Sequence, residues 1–336
     1  MATKLSNSML VEFQKCPFAF FLRAEKKVQV SKHIRTVFGS ALHYVLLRKF
    51  CRKLSPQAQK RRVKKELPFL FPKDKKSAIG IWIRVWREAL KEEKANKRIA
   101  PFACKIRYDG TTKNQIKEEQ EMYLLWGIGI VERYWEIHQN KPLPFAVEFQ
   151  FSVFPPNRSD VILVGSIDQI IKTKDNEYYL VDLKTGIGPS PKNWQDQFHF
   201  HHDLQFTIYS WAFRQIFKKE EAGIIIYPLN YYRNPKTGEK EDREAIITYR
   251  NEKDYQDLNT FISFFIACCE RGIFPKYYGS HCRQCDYLEI CDEGKKLFTS
   301  PIKVGEIDLG KINIEEIKKE IELQLLHPRS SSPKLI

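Results

Sequence analysis

Two neighbouring segments with the alternating pattern of β-strands constrain the fold of this chain more than any other feature. The first is DVILVGSIDQIIKT, residues 160–173, and the second is EYYLVDLKT, residues 177–185. The turn at KDNE, residues 174–177, joins them. Because a turn this short connects adjacent antiparallel strands, the pattern predicts a β-hairpin.

The predicted hairpin carries charges at positions that a packed strand normally leaves apolar. Asp182 and Lys184 are two residues apart and share one face of the second strand. On the first strand Val164, Ser166 and Asp168 share a face, so we expect Asp168 opposite or diagonal to Asp182. Two close carboxylates repel one another unless a cation lies between them. The pattern favours a Mg²⁺ or Mn²⁺ site, with a solvated Asp–Lys surface pair as the alternative.

Other polar residues are candidates for the same site. Lys184 is suited to orient or deprotonate an attacking water, or to stabilise the charge of a phosphate. Gln205 and Tyr209 share a helical face and suit phosphate or water positioning, although such a tyrosine is more often a core residue. His43, among small and apolar residues, is either a hydrogen-bonded core histidine or a metal ligand. Glu148 either assists the site or is a strand-surface carboxylate.

The order of predicted elements indicates a mixed α/β fold. Helices dominate the first 140 residues, with Ser6 or Ser8 as the first cap, and a sheet follows. The predicted strands are residues 146–154, 160–173, 177–185, 222–233 and 244–250, and the later helices are residues 191–218 and 254–272. We divide the chain into four parts: an N-terminal helical part (1–51), a helical insertion (52–140), a core with a cysteine loop (141–300), and a helix with a flexible tail (301–336).

Cysteines form a second constellation. Cys282, Cys285 and Cys291 follow a C-x2-C-x5-C pattern, and disulfides are unlikely without a secretory context, so the pattern indicates metal ligation. A fourth ligand is needed, either Cys16, which a proline follows directly, or His281, which suits a Cys₃His zinc site. The remaining cysteines, Cys51, Cys104, Cys268 and Cys269, lie in helical stretches and are expected to be packing residues.

Composition and charge narrow the class of protein. The net charge of +15 favours a polyanionic partner, with a merely basic surface as the alternative. The insertion contains the basic segment QKRRVKKE, residues 59–66, and tryptophans at helical spacing that favour core packing over stacking on bases: Trp82, Trp86, Trp126 and Trp135. No apolar stretch of membrane-spanning length or signal peptide occurs, so we expect a cytoplasmic location and no membrane partner.

The order of these motifs resembles that of a known family. The motifs are CPFAFFL at 16–22, FGSALH at 38–43, GSIDQI at 165–170, VDLKTG at 181–186, Q-x-x-x-Y at 205–209 and the C-x2-C-x5-C pattern at 282–291. Together they resemble the PD-(D/E)xK nuclease superfamily and, within it, RecB-like exonucleases with an iron–sulfur cluster. CRISPR-associated nucleases of that type and the nuclease domain of the AddB helicase subunit are similar in motif layout. Residues 52–140 match no motif of the family.

The resemblance implies a fold and a role for each matching residue. It implies a restriction-endonuclease-like mixed central sheet flanked by helices. By motif position, the implied metal ligands are His43, Asp168 and Asp182; the implied catalytic residues are Asp168, Asp182, Lys184, Gln205 and Tyr209; and the implied ligands of a structural 4Fe-4S cluster are Cys16, Cys282, Cys285 and Cys291.

The resemblance also implies an activity. We expect a Mg²⁺- or Mn²⁺-dependent DNA exonuclease that acts on DNA ends or single strands in recombination, repair, phage replication or CRISPR adaptation. Helicases or recombination or CRISPR proteins are the expected partners. The alternatives are a non-catalytic DNA-binding scaffold of the same fold and a zinc-stabilised protein without nuclease activity.

Overall fold

A six-stranded mixed sheet forms the centre of the protein. The structure is a computed structural model that describes residues 3–49, 72–91, 105–185, 203–229, 231–233, 240–242, 244–279, 281–282, 285–288 and 290–291. The strands of the sheet are β1 (Thr3–Ser6), β4 (Ala146–Val153), β5 (Val161–Lys172), β6 (Tyr178–Lys184), β7 (Gly223–Pro228) and β10 (Ile246–Thr248). Two small ribbons pair β2 (Lys32–His33) with β3 (Ile106–Arg107), and β8 (Tyr231–Arg233) with β9 (Lys240–Asp242).

Strand β5 organises the sheet because it pairs with three neighbours. It runs parallel to β1 and antiparallel to both β4 and β6. Beyond β6 the sheet continues with β7, which is parallel to β6, and ends at β10, which is antiparallel to β7. The predicted hairpin, residues 160–173 with 177–185, is therefore confirmed as β5 and β6.

Helices cover both faces of the sheet. They are α1 (Asn7–Lys15), α2 (Pro17–Ala24), α3 (Ile34–His43), α4 (Lys75–Leu90), α5 (Lys113–His138), α6 (Leu204–Phe217) and α7 (Glu252–Arg271), and a π-helical segment, Tyr44–Lys49, continues α3. One apolar core joins the sheet to α3, α4 and α5, and the other joins it to α1, α6 and α7. Side chains alternate between the two faces of β6. Val181 and Leu183 therefore pack in the first core, and Tyr178 and Leu180 pack in the second. The predicted fold class, a mixed sheet flanked by helices, is confirmed.

Side-chain caps fix where several helices begin. Ser6 is the N-cap of α1, since its Oγ accepts a hydrogen bond from the Met9 backbone N–H at 3.3 Å. Of the two predicted caps, Ser6 and Ser8, the first is therefore confirmed. Reciprocal capping boxes begin α4 at Asp74, α5 at Thr112 and α7 at Asn251. The caps explain why these helices start abruptly after extended residues.

Two predicted elements differ from the structure. A single helix over 191–218 was wrong at its start, because Asp203 is extended and its side chain caps a helix that begins at Leu204. A single strand over 222–233 was also wrong: β7 ends at Pro228, which lacks the N–H needed to continue a ladder, and Tyr231 begins a separate ribbon. Strand β1 was not predicted.

The tryptophans of the helical region belong to the core. Trp82 and Trp86 are fully buried, and their indole N–H groups donate to the carbonyl oxygens of Leu124 and Gln120 at 3.0 and 3.2 Å. Trp126 and Trp135 are partly buried against the same core. The prediction of core packing is therefore confirmed for this set.

Several predictions fall outside the described residues. These are the basic segment 59–66, Cys51 and Cys104, the chain from 186 to 202, and the C-terminal helix and tail at 301–336. The described residues lie in one compact unit spanning Met1–Cys291. The division into four parts stays a prediction. Within the described part of the chain, none of the helices has both the length and the apolar character needed to cross a membrane.

Candidate active site

The hairpin brings the two predicted carboxylates face to face. Gln169 pairs with Val181 in the register of β5 and β6, and one step further along the strands Asp168 lies opposite Asp182. The ladder stops at this point because Asp168 Oδ2, rather than a strand carbonyl, accepts the Leu183 N–H at 2.9 Å. The backbone of the DLK segment therefore holds the Asp168 carboxylate in place.

Asp182, Lys184 and Gln205 form a closed set of polar contacts. Lys184 Nζ lies 2.7 Å from Asp182 Oδ2 and donates to Gln205 Oε1 at 3.0 Å. The Gln205 amide nitrogen donates to Asp182 Oδ1 at 3.0 Å and to the Tyr209 hydroxyl at 2.7 Å. Asp182 is only 2% exposed. The first two turns of α6 thus place both predicted side chains of the Q-x-x-x-Y motif against β6.

His43 reaches the same carboxylates from the other side of the sheet. Its Nδ1 lies 3.5 Å from Asp168 Oδ2, at the last residue of α3. One turn earlier, a Cβ on Gly39 would lie 2.9 Å from Thr185 Oγ1. A glycine at this position therefore allows α3 to approach the end of β6 closely enough for His43 to contact Asp168.

The buried charges shift one another's pKa values. Burial raises the pKa of Asp182 to about 6, and the neighbouring Asp168 carboxylate acts in the same direction against Lys184 and His43. Burial opposes the charged form of His43, but the Asp168 carboxylate outweighs it and the pKa of His43 is raised. Burial likewise opposes the charged form of Lys184, yet Asp182 raises its pKa overall. Burial first, and the carboxylates second, raise the pKa of Tyr209 well above its usual value, so its hydroxyl stays protonated.

The residues fit a divalent cation bound at an open site. Asp182 Oδ2 is buried, and its one close polar neighbour among the described residues is the Lys184 ammonium group at 2.7 Å. Two carboxylates and an imidazole form a ligand set suited to Mg²⁺ or Mn²⁺. Among the described residues, no group of three or more His, Cys, Asp or Glu side chains is arranged so that it could hold a metal ion. Mg²⁺ can bind through only one or two carboxylates, since it keeps several waters and binds phosphate oxygens.

Glu148 on β4 lies next to Asp168 on β5 and has a strained backbone conformation. Val147 pairs with Gln169 and Phe149 with Ile167, so Glu148 is the residue that stands against Asp168. Its φ is 45°, in the left-handed region that costs a side-chain-bearing residue about 1–3 kcal/mol. The predicted assisting role of Glu148 stays a prediction, and the register places the residue next to Asp168 on the neighbouring strand.

The cysteine loop meets the N-terminal helices at a second site. Cys16 is the extended residue between α1 and α2, and it packs with Cys285 against a small apolar cluster that contains Tyr287. Burial raises the pKa of Cys285, and the nearby thiols of Cys16 and Cys282 act in the same direction. Three of the four predicted thiol ligands therefore lie close enough to affect one another.

Other contacts of the loop place the remaining candidate ligands. The Cys291 N–H donates to the Tyr287 carbonyl at 2.9 Å, and His281 Nε2 lies 3.8 Å from Cys282 Sγ. The described cysteines form no disulfide. Arg107 of β3 donates to the Cys285 carbonyl at 3.1 Å, which ties the loop to the ribbon that precedes α3. Cys16 therefore lies near Cys285, and His281 lies near Cys282, so both candidates for the fourth ligand are close to a thiol of the loop.

A comparison with protein-family models decides the family. Residues 4–292 match the model of the PD-(D/E)XK nuclease superfamily, which is most of the chain. The chain belongs to the PD-(D/E)XK nuclease superfamily. Membership indicates a nuclease whose substrate is DNA, and nucleases of this superfamily generally use Mg²⁺ or Mn²⁺.

Comparisons with individual proteins add less to the superfamily assignment. A search of curated proteins gave no match. Among solved structures, the crystal structure of SSO0001 is 13% identical to this PD-(D/E)XK chain over 88% of each chain, with a TM-score of 0.33. A likeness this distant supports no conclusion about fold or function.

Sequence reasoning missed two residues that support the site of this PD-(D/E)XK nuclease. Asp203 caps α6 by accepting the Gln205 N–H at 2.7 Å. An aspartate just before an apolar helical pattern is a recognisable cap, so it was open to prediction. Arg250 contacts the same helical turn from a distant part of the chain. No local sequence pattern points to Arg250.

The raised pKa of Asp182 predicts a pH-dependent stability in the metal-free protein. Because the pKa rises from 3.8 to about 6 on folding, the ionised carboxylate destabilises the fold at neutral pH, and this penalty disappears as the pH falls toward 4. Relative to Asp182→Asn, the wild-type free energy of unfolding is expected to rise by up to about 3 kcal/mol between pH 7 and pH 4. Urea unfolding of both proteins in EDTA measures the difference, and a pH-independent difference would contradict the assignment.

Proposed function

We propose that this chain is a Mg²⁺- or Mn²⁺-dependent deoxyribonuclease, and specifically an exonuclease. The observation that carries the proposal is the buried Asp182 carboxylate, which faces Asp168 and contacts Lys184 and Gln205. His43 completes this group from α3. A buried carboxylate beside a second, half-buried carboxylate, a lysine and an imidazole is costly for folding alone, so a role in binding and catalysis is the better explanation.

Each residue of the group has a proposed task. His43, Asp168 and Asp182 would hold the cation, which when bound polarises a phosphodiester oxygen and lowers the pKa of a bound water. Lys184 remains charged because its pKa is raised, so it orients the water and stabilises phosphate charge rather than accepting a proton. Gln205 fixes Lys184 and Asp182 relative to each other, and the Tyr209 hydroxyl fixes Gln205.

The finer features of the activity rest on the resemblance and on charge. RecB-like relatives act as exonucleases, which supports DNA ends or single strands as substrate. The net charge of +15 suits a polyanionic substrate, because lysines and arginines that neutralise phosphates release counterions. We place the protein in the cytoplasm, in recombination, repair, phage replication or CRISPR adaptation, with a helicase or a recombination or CRISPR protein as partner.

We further propose that Cys16, Cys282, Cys285 and Cys291 hold a structural 4Fe-4S cluster. The proximity of Cys16, Cys282 and Cys285 supports it, as does the proline that follows Cys16. Such a site would tie the N-terminal helices to the C-terminal loop. The short distance between His281 and Cys282 favours zinc as the alternative.

Cleavage of matched DNA substrates tests the activity. Linear DNA labelled at its ends, in single- and double-stranded form, and covalently closed circles of the same sequence are incubated with Mg²⁺, Mn²⁺ or EDTA. We expect the linear DNA to be degraded with either cation and to remain intact in EDTA, and the circles to persist. Cleavage of the circles would show an endonuclease, and intact DNA in every condition would contradict the nuclease proposal.

Spectroscopy of anaerobically purified protein tests the cluster. We expect absorption near 400 nm, lost in Cys16→Ser and retained in Cys269→Ser. Cys269 is a matched control because it is half-buried on α7 and outside the proposed ligand set. Bound zinc without this absorption would replace the cluster with a Cys₃His or Cys₄ zinc site.

A further inference from the structure

A buried arginine from outside α6 holds the first turn of that helix. Arg250 lies between β10 and the Asn251 cap of α7 and is 5% exposed. Its Nε donates to Thr207 Oγ1 at 2.9 Å, and its Nη2 donates to the Asp203 carbonyl oxygen at 3.3 Å. Thr207 is two residues after Gln205 in the chain, and Asp203 is two residues before it. The guanidinium therefore spans Gln205, which contacts both Asp182 and Lys184.

Further hydrogen bonds fix the side chain and the backbone of Arg250. Its Nη1 donates to Thr248 Oγ1 and to the Tyr249 carbonyl oxygen, both at 2.7 Å. Its backbone carbonyl accepts a hydrogen bond from Arg214 Nη2 at 3.2 Å. Arg214 is fixed in turn by a two-point ion pair with the buried Glu221, at 3.0 and 3.1 Å. Arg250 is thus held by residues at the end of β10 and, through its backbone carbonyl, by Arg214 in the last turn of α6.

The cost of this arrangement suggests that it does more than close a helix end. The four acceptors of the guanidinium named above are neutral oxygens, and burying a cation is unfavourable even though the carboxylates of Asp254, Asp203 and Glu221 offset part of the cost. Burial accordingly lowers the pKa of Arg250. The Asp203 side chain already caps α6 through the Gln205 N–H. What Arg250 adds is a rigid two-point attachment, for which the planar guanidinium is suited.

We propose that Arg250 is a positioning residue for DNA hydrolysis, which sets the place of Gln205 against Asp182 and Lys184 through Asp203 and Thr207. The inference rests on the proposed nuclease function. A small shift of the first turn of α6 would lengthen the contacts of the Gln205 side chain with Asp182 and Lys184. Misplacement by about 1 Å can cost up to about a hundredfold in rate.

Steady-state cleavage kinetics of four variants test the positioning role. We expect Arg250→Met to lower kcat about tenfold and Thr207→Val about threefold, with KM for DNA within about twofold of wild type, because the change acts on the reacting geometry and not on DNA binding. Thr207→Ser, which keeps the hydroxyl, is expected to restore wild-type kcat. Arg158→Met is the control, since this substitution removes the hydrogen bonds of Arg158 to Asp160 and Ser263, neither of which is on α6.

Hydrogen–deuterium exchange provides a readout that needs no activity. In Arg250→Met, and in Arg250→Lys if the first variant does not fold, we expect faster exchange confined to the amides of residues 205–209. A kcat unchanged in Arg250→Met, a loss equal to that of Arg158→Met, or unchanged exchange at 205–209 would overturn the inference. Wild-type protein that cleaves no DNA would refute the proposed function alone, because the exchange result still tests whether Arg250 fixes α6.

Discussion

Replacing Lys184 with methionine is expected to reduce DNA cleavage by about a thousandfold or more. The side chain keeps its length but loses the charge that lies 2.7 Å from Asp182 Oδ2 and the hydrogen bond to Gln205. Without the ammonium group, neither the attacking water nor the phosphate charge is stabilised, and Gln205 loses one of the three hydrogen bonds of its side chain. Initial rates on end-labelled single-stranded DNA with Mn²⁺ measure the effect.

Two further variants make the Lys184 result interpretable. Removing one partner of a buried ion pair destabilises a protein by about 3–5 kcal/mol, so the thermal transition of Lys184→Met has to be measured beside its activity. Lys184→Arg keeps a positive charge beside Asp182 and is expected to stay folded but to cleave slowly, since a planar guanidinium cannot reproduce the contacts of an ammonium group. Lys172→Met, on the same sheet, removes a lysine whose ammonium group lies over the Tyr178 ring and should cleave like wild type. Activity of Lys184→Met within tenfold of wild type would remove the catalytic assignment.

A large effect on stability is also expected at Gly127, where α5 meets α4. A Cβ on Gly127 would lie 2.0 and 2.2 Å from Cζ2 and Cε2 of Trp82. The ring cannot turn away cheaply, because it is fully buried and its Nε1 donates to the Leu124 carbonyl oxygen. We expect Gly127→Ala to lower the free energy of unfolding by about 3 kcal/mol, even though alanine is the better helix former.

Gly80 on α4 provides a matched control for Gly127. A Cβ at Gly80 would meet no atom within 4 Å, and the residue is exposed. Gly80→Ala is therefore expected to raise the free energy of unfolding by about 0.5–1 kcal/mol, through the lower backbone entropy of the unfolded chain and the higher helix propensity. Urea unfolding followed by circular dichroism measures both. Equal effects of the two substitutions would show that Trp82 does not limit the space at Gly127.

The strength of local patterns decided which elements were predictable. The two-residue period of β5 and β6 and the short turn between them specified a hairpin, and the register then followed closely enough to bring Asp168 opposite Asp182. The helical periodicity of α4 and α5 likewise placed Trp82 and Trp86 in the core. Strand β1 is only four residues long, and its parallel pairing with β5 depends on residues more than 150 positions away. No local pattern reports such a pairing.

By itself, the sequence determined the kinds of chemical groups and the faces on which they lie, because side-chain periodicity is a local property of the backbone. It therefore supplied the carboxylates, the lysine and the spacing of Gln205 and Tyr209. Only the tertiary structure decided the distances, such as the 3.5 Å between His43 and Asp168, and the contact of Arg250 with the turn that carries Gln205. Those distances depend on how α3, α6 and α7 pack against the sheet, and this packing is set by apolar contacts between residues far apart in the chain.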